Sequence, residues 1–427
     1  MHAKKPSPGE MGEERLAKVL ADLVEIFRQG KSGKDFQWWN NNSLASIFSP
    51  CYGYSDGQRL FDEVVQGVLK LNPDMLSESE VQLQLKRDFL VPQTAYPRTT
   101  HLSGPSLVTE AKQYLTNLIT FRQVRNVDFP ISNLLLDEDP YQLGYVTFIA
   151  LTQEELEEWK QDKYPWFLKA PDFRVVARVK APGDLQKAKS YAKNRVDETM
   201  DTLRAFCFPF GSHSDTWQIG VVGDGTYPAS TPMRIDGKTG ITQLGPGIAH
   251  IELRRHILSK LEQRQWELVT RLIQKTARSN MEEKLLMAIH WLAESTKPDA
   301  NRSRFAKVSI ALEALIGGEP RNDEKLSVRG ITAMLAERAA FLVGKDPNDR
   351  LEIDKTVREY YGLRSQIFHE GGGDISFDQI DGFGKLVRRI AISLLEKLDD
   401  HGAKLNSVND LEHWVRKNRY GMADTGN

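Results

Sequence analysis

Ser376-Phe377-Asp378-Gln379-Ile380-Asp381-Gly382-Phe383-Gly384-Lys385-Leu386-Val387-Arg388-Arg389-Ile390 opens the pattern that decides the architecture of the last third of the chain. Ile380, Phe383, Val387, Ile390, Leu394 and Leu398 follow one another at alternating steps of three and four. That period places them on one face of a helix, and Ser376 is a residue type that accepts hydrogen bonds from the free N–H groups of a first turn. Upstream, Ile353, Val357, Tyr361 and Phe368 mark another stripe. Before it, Val328, Ile331, Leu335, Ala339 and Leu342 lie between Ser327 and Gly344. The first stripe is Phe305, Val308, Leu312, Leu315 and Ile316, with Asp299 or Asn301 as cap and Gly317-Gly318 as stop. Four amphipathic helices with short connections each have one apolar face to bury, which predicts a helical bundle.

The third helix ends in Leu363-Arg364-Ser365-Gln366-Ile367-Phe368-His369-Glu370-Gly371, followed by Gly372 and Gly373. Arginine offers a phosphate a permanently charged planar fork, and histidine exchanges protons near neutrality. At about 100° per residue, positions five apart lie roughly 140° apart around a helix. For Arg364 and His369 to act on one phosphate, the last turn must end or distort near the histidine, and the glycines permit that. The spacing is unspecific by itself, although this is its only occurrence among the nine histidines of the chain.

The wider order of residues is more specific. Ala288-Ile289-His290-Trp291-Leu292 is followed by Phe305, then Ile310-Ala311-Leu312-Glu313-Ala314-Leu315, Arg338, Tyr360-Tyr361-Gly362-Leu363-Arg364-Ser365 and His369-Glu370-Gly371. In this order the segment 281–400, a little over a quarter of the chain, resembles the Apea-like branch of the HEPN superfamily. These are prokaryotic helical domains, many of them ribonucleases. The resemblance implies a metal-independent endoribonuclease built from two such domains face to face, hence a homodimer or higher even oligomer, with no cofactor. It makes Arg364 and His369 the catalytic pair. Ser365 stands where the wider superfamily often has asparagine, aspartate or histidine, and Glu370 precedes the glycine that more often follows the histidine directly.

Metal-free RNA cleavage uses the ribose 2′-hydroxyl as nucleophile, and needs a base, an acid and a holder for the added negative charge. Two Arg-His pairs across a dimer axis supply these roles, one His369 as base and the other as acid, with two Arg364 forks on the phosphate. Glu313, a carboxylate interrupting an apolar stretch, is a candidate for pinning Arg364. Ser365 is a candidate for orienting the arginine or donating to a phosphate oxygen. Each residue also has a purely structural reading: Arg364 paired with Glu359 or Glu313, His369 a polar helix end, Ser365 a local helix hydroxyl. Tyr360 and Tyr361 read as core packing rather than platforms for bases.

Forty per cent hydrophobic and 27% charged residues describe an ordinary globular protein, long enough at 427 residues for two or three domains. Two distant cysteines, Cys51 and Cys207, make no disulfide framework and fit a reducing cytoplasm. No apolar run is long enough to span a membrane, and the polar start, Met1 to Glu14, is unlike a signal peptide. A net charge of −1 leaves nucleic-acid binding to local patches. Arg302, Arg304, Lys307, Arg321, Lys325, Arg329, Arg388 and Arg389 are candidates, although a solvated helical face is the commoner fate of such charges.

The earlier sequence reads as mixed α/β. Leu16, Leu20, Leu23 and Phe27 predict a helix, and Phe36 to Asn42 an aromatic, amide-rich loop. Residues 145–149, 173–179 and 217–222 read as strands, 184–206 as a helix, and 223–247 as loops and turns. A helical connector is expected over 248–275. No phosphate loop or dinucleotide fingerprint is present, and His101, His213, His250 and His256 lack metal-ligand spacing. The expected organisation is α+β: a mixed α/β region over 1–246 that senses a trigger or grips substrate, a connector over 247–280, an all-α HEPN-type bundle over 281–400, and a tail over 401–427.

The function expected from the resemblance is that of a regulated defence effector acting on host or phage RNA, with transfer RNA a candidate substrate and a phage-derived trigger or a neutralising partner protein holding its control. Two other readings are a non-catalytic dimerisation or RNA-binding module, and the toxin half of a toxin–antitoxin pair.

Overall fold

A computed structural model of the chain describes residues 8–29, 55–90, 103–161, 173–208, 210, 219–221, 232–235, 238–241, 251–297, 299–318, 328–370, 374–400 and 405–421. The fold is α+β. Among the described residues no helix is long and apolar enough to cross a membrane.

The chain divides into two compact units, 1–127 with 180–193, and 128–179 with 194–427. The first is built on helices α1 (Pro8–Gln29), α2 (Ser55–Leu71), α3 (Glu78–Gln84), a following π-helical turn (Leu85–Leu90) and α4 (Pro105–Ile119). Leu16, Leu20 and Leu23 are buried as their spacing predicts, against Phe61, Val64 and Val68 of α2 and Leu107, Ala111 and Leu115 of α4. The Phe27 side chain and the Phe36–Asn42 cluster lie outside the described residues.

A five-stranded sheet has the order β3-β4-β5-β1-β6, with β1 (Val124–Ser132), β3 (Tyr141–Leu143), β4 (Val146–Ala150), β5 (Phe173–Pro182) and β6 (Gly220–Val221). Residues 146–150 pair antiparallel with 175–179, so two of the expected strands are neighbours. The short β2 (Leu134–Leu135) pairs parallel with β9 (Ile251–Glu252). Within the stretch expected to be loops, β7 (Pro232–Ile235) and β8 (Lys238–Ile241) form a hairpin. Asp236-Gly237 lies between them, a two-residue signal that favours hairpins and outweighs the surrounding Gly and Pro. Helix α5 spans Gln153–Gln161 and α6 spans Leu185–Cys207, the latter close to the 184–206 expected.

Beyond the sheet lie α7 (Leu253–Leu258), α8 (Gln263–Gln274), α9 (Asn280–Thr296), α10 (Asn301–Ile316), α11 (Val328–Val343), α12 (Pro347–Glu370), α13 (Phe377–Asp399) and α14 (Val408–Tyr420). All four expected bundle helices are present. Ser376 caps α13 by accepting from Gln379 N, while the Gln379 side chain returns to Ser376 N. Ala300 rather than Asp299 or Asn301 is the cap residue of α10; Asp299 bonds Ala300 N and Lys307 instead. Phe305, Leu312, Leu335, Val357, Phe383, Val387, Ile390 and Leu394 are buried, so the apolar stripes do meet.

Three features depart from the linear reading. Residues 128–179 group with the bundle and not with 1–127. Trp266 Nε1 donates to Tyr141 Oη at 3.1 Å and Tyr145 Oη donates to Gln274 O at 2.6 Å, joining sheet to α8. The connector is two helices, because the turn at Ser259–Leu261 breaks the run before Glu262 caps α8 in a reciprocal box with Gln265. The expected tail contains α14, started by Ser407 and Asp410 capping each other and buried through Leu411 and Val415.

Candidate active site

Helix α12 carries the Arg-x4-His motif. Asp346 starts it by accepting from Asn348 N and Asp349 N at 2.9 and 3.0 Å, with Pro347 supplying a preset first turn. Ile353, Val357 and Tyr361, four residues apart, are buried. Phe368 lies on the same stripe in angle, yet it is 54% exposed, a correction to the expectation that it packs in the core. What covers its ring in part is Arg364, whose guanidinium carbon sits 5.0 Å from the ring centre.

Arg364 is held from three directions. Its Nη2 is 2.8 Å from Glu313 Oε1 on α10, and it lies over the rings of Tyr361 (5.6 Å) and Phe368. The same Glu313 oxygen accepts from Tyr361 Oη at 3.0 Å. Burial first, and the Glu313 carboxylate second, push the Tyr361 phenol above its ordinary pKa, so it stays a neutral donor. The arrangement is a carboxylate anchor, a buried phenol and a guanidinium that keeps part of its surface open, 29% of the side chain. Arg364 Nε is buried with no hydrogen-bond partner among the described residues. The sequence-derived pairing of Glu313 with Arg364 is therefore present in the geometry. Tyr361 as co-ligand of Glu313 is an addition, which its place in the apolar stripe concealed.

Ser365 is half-buried beside Arg364 and makes no side-chain hydrogen bond with the described residues. Tyr360 stacks on Phe383, centroids 4.5 Å apart, as core packing. Helix α12 continues through His369 and ends at Glu370, immediately before the glycines. The His369 side chain and Gly371–Gly373 lie outside the described residues. With the helix unbroken between them, positions 364 and 369 remain about 140° apart in azimuth.

The basic candidates divide. Arg304 is buried and donates to Ser295 O and Phe210 O, and Arg388 donates to Ala205 O and Phe208 O. Burial lowers the Arg388 pKa to about 10. Both are engaged by main-chain carbonyls at and just beyond the end of α6, which corrects their assignment to a phosphate patch. Lys307 pairs with Asp299 at 3.0 Å, Arg302 lies 3.9 Å from Asp374, and Arg389 is exposed. Arg321, Lys325 and the Arg329 side chain are outside the described residues.

A second cluster went unread in the sequence. His290 Nδ1 meets Asp201 Oδ2 at 2.7 Å, and Glu294 lies one turn further along α9. Each residue offers one ligand atom within 4.8 Å of the others. The i, i+4 spacing of His290 and Glu294 was the available signal; Asp201 comes from α6 and only folding delivers it. Arg204 lies 3.4 Å from Asp201, while Lys297 and Lys307 attend Glu294. Those cations occupy the charge a metal ion would need, so the cluster is an ion-pair network. The hydrogen bond that His290 donates to the Asp201 carboxylate raises the His290 pKa.

No family model, no curated protein and no solved structure matches this chain.

Proposed function

We propose that the chain is a metal-independent endoribonuclease of HEPN type, acting as a regulated defence effector on host or phage RNA. The observation that carries this reading is the mounting of Arg364: its Nη2 anchored by Glu313, its face packed on Tyr361 and Phe368, and 29% of the side chain left exposed. A fork fixed in this way meets an incoming phosphate with little ordering cost. In the reaction, a base removes the ribose 2′-hydroxyl proton, the oxygen attacks phosphorus, and the 5′-oxygen leaves with a proton from an acid. The products are a 2′,3′-cyclic phosphate and a 5′-hydroxyl. The azimuthal separation of positions 364 and 369 favours a site shared by two copies, each contributing one arginine and one histidine.

The same ion pair also supports a second reading, a non-catalytic dimerisation or RNA-binding module in which Glu313 and Arg364 only stitch α10 to α12. Purified wild-type protein and His369→Ala, both checked for folding and oligomeric state, decide between them on total RNA in EDTA. Cleavage leaving cyclic phosphate ends, lost in the folded variant, is the expected result. Cleavage that survives His369→Ala and Arg364→Ala overturns the assignment. For a protein silent alone, growth arrest on expression, relieved by either substitution, supports the nuclease awaiting a phage-derived trigger or freed from a neutralising partner; no arrest supports the module.

A further inference from the structure

A crevice of about 540 Å³ opens among α9, α11 and α14, and neither Glu313 nor Arg364 contributes to its walls. That volume is within the range of small-molecule sites. Its charge is unbalanced: Lys284, Arg338, Arg416 and Arg419 face two carboxylates, Glu337 and Glu412, for a net +2. Arg338 is buried to 3% exposure, donating to Ile316 O at 2.7 Å and lying 3.3 Å from Glu412. Arg419 takes Glu337 at 2.7 Å. Both wall carboxylates are thus engaged by an arginine, and no carboxylate among the described residues pairs with Lys284 or Arg416. The adjacent Asp410 does not line the crevice; its Oδ2 accepts from Asn406 N, Ser407 N and Ser407 Oγ at the start of α14.

The rest of the wall differs in character. Met334, Val408 and Val415 give an apolar side, and the Tyr420 ring, 63% exposed, stands at its edge. Two unpaired cations beside apolar and aromatic wall residues match a molecule that carries both a phosphate and a flat ring. We infer that this crevice binds a nucleoside phosphate, its phosphates against Lys284 and Arg416 and its base along Met334, Val415 and Tyr420. A charge-assisted contact to phosphate is strong, and a ring on an apolar wall adds affinity without requiring a particular base. The site is distinct from the proposed cleavage site: Arg338 belongs to the family order, but none of the residues given a role in cleavage lines the crevice.

The test is calorimetric titration of the full-length protein with AMP, ATP and GTP, and separately with inorganic phosphate and pyrophosphate. Lys284→Gln and Arg416→Gln, singly and together, are compared with wild type; neither side chain holds a carboxylate among the described residues, and circular dichroism checks their fold. Expected is saturable nucleotide binding that weakens with salt and drops about tenfold for each charge removed. No saturable binding of any nucleotide, or unchanged affinity in the folded double variant, overturns the site. Pyrophosphate binding as tightly as ATP overturns the nucleoside part, and a short RNA binding there more tightly than mononucleotides overturns the small-molecule assignment.

Discussion

Replacing Glu313 by alanine removes one oxygen on which two side chains depend. Tyr361 is 6% exposed and donates to that oxygen at 3.0 Å, so its phenol O–H is left buried without an acceptor. Such a loss costs about 1–3 kcal/mol. The Arg364 pair contributes less, because the two side chains are 29% and 34% exposed and solvent screens them. For that pair we assign at most about 1 kcal/mol. The sum is roughly 1–4 kcal/mol, equivalent to a fall of about 1–5 °C in Tm for a protein of this size. In Glu313→Gln the amide oxygen still accepts from Tyr361, and the expected loss is about 1 kcal/mol. Tyr361→Phe removes the donor and leaves no orphaned phenol. A double-mutant cycle of Glu313→Ala with Tyr361→Phe, measured by urea unfolding, is therefore expected to show coupling of about 1–2 kcal/mol. Coupling near zero, with alanine and glutamine equally destabilising, would refute the shared-acceptor geometry. In the RNA-cleavage assay, Glu313→Gln is expected to lower activity while the protein stays folded, because Arg364 loses its anchor.

Three further outcomes follow from other parts of the fold. A Cβ at Gly382 would lie 2.6 Å from Tyr360 Oη, and the Tyr360 ring is stacked on Phe383, so Gly382→Ala should cost about 1–2 kcal/mol even after the helix-propensity gain. Adding Tyr360→Phe should recover part of it; an equal loss in both backgrounds sinks the steric account. Arg388→Met strips Ala205 O and Phe208 O of their donor and should cost about 2–4 kcal/mol by thermal unfolding, with a loss under half that showing the carbonyls find other partners. His290 has its pKa raised by Asp201, so its pair stabilises fully below the unfolded value of about 6.5 and the contribution is lost as pH rises through the raised value. His256 runs the other way: burial lowers its pKa, so its contribution is present above about 6.5 and lost as pH falls. Melts across this range should show His290→Gln losing less stability than wild type on the alkaline side, and parallel curves would remove the linkage.

Local and periodic features were legible in the chain itself. Ser376, Ile380, Phe383 and Val387 mark the start and buried face of α13 because a cap and a 3.6-residue period are properties of consecutive residues. The pairing of Glu313 with Arg364 was legible for a related reason: a lone carboxylate in an apolar helix needs a partner, and the facing helix offers an arginine. Tyr361 was harder, since a phenol in an apolar stripe reads as a ring and its hydroxyl partner depends on a neighbour 48 residues away.

Arg304 and Arg388 look like any exposed basic residues in the sequence, yet they are spent on main-chain carbonyls of α9 and of the segment at and just beyond the end of α6. The crevice at Arg338 and the Asp201–His290 pair also draw on segments far apart in sequence. Helix periodicity and caps are encoded over a few residues, so the sequence by itself determined the four bundle helices and the Ser376 start of α13. Which charges are buried, which are paired and which remain open depends on what another segment presents across a helix face, and only the tertiary structure decided that.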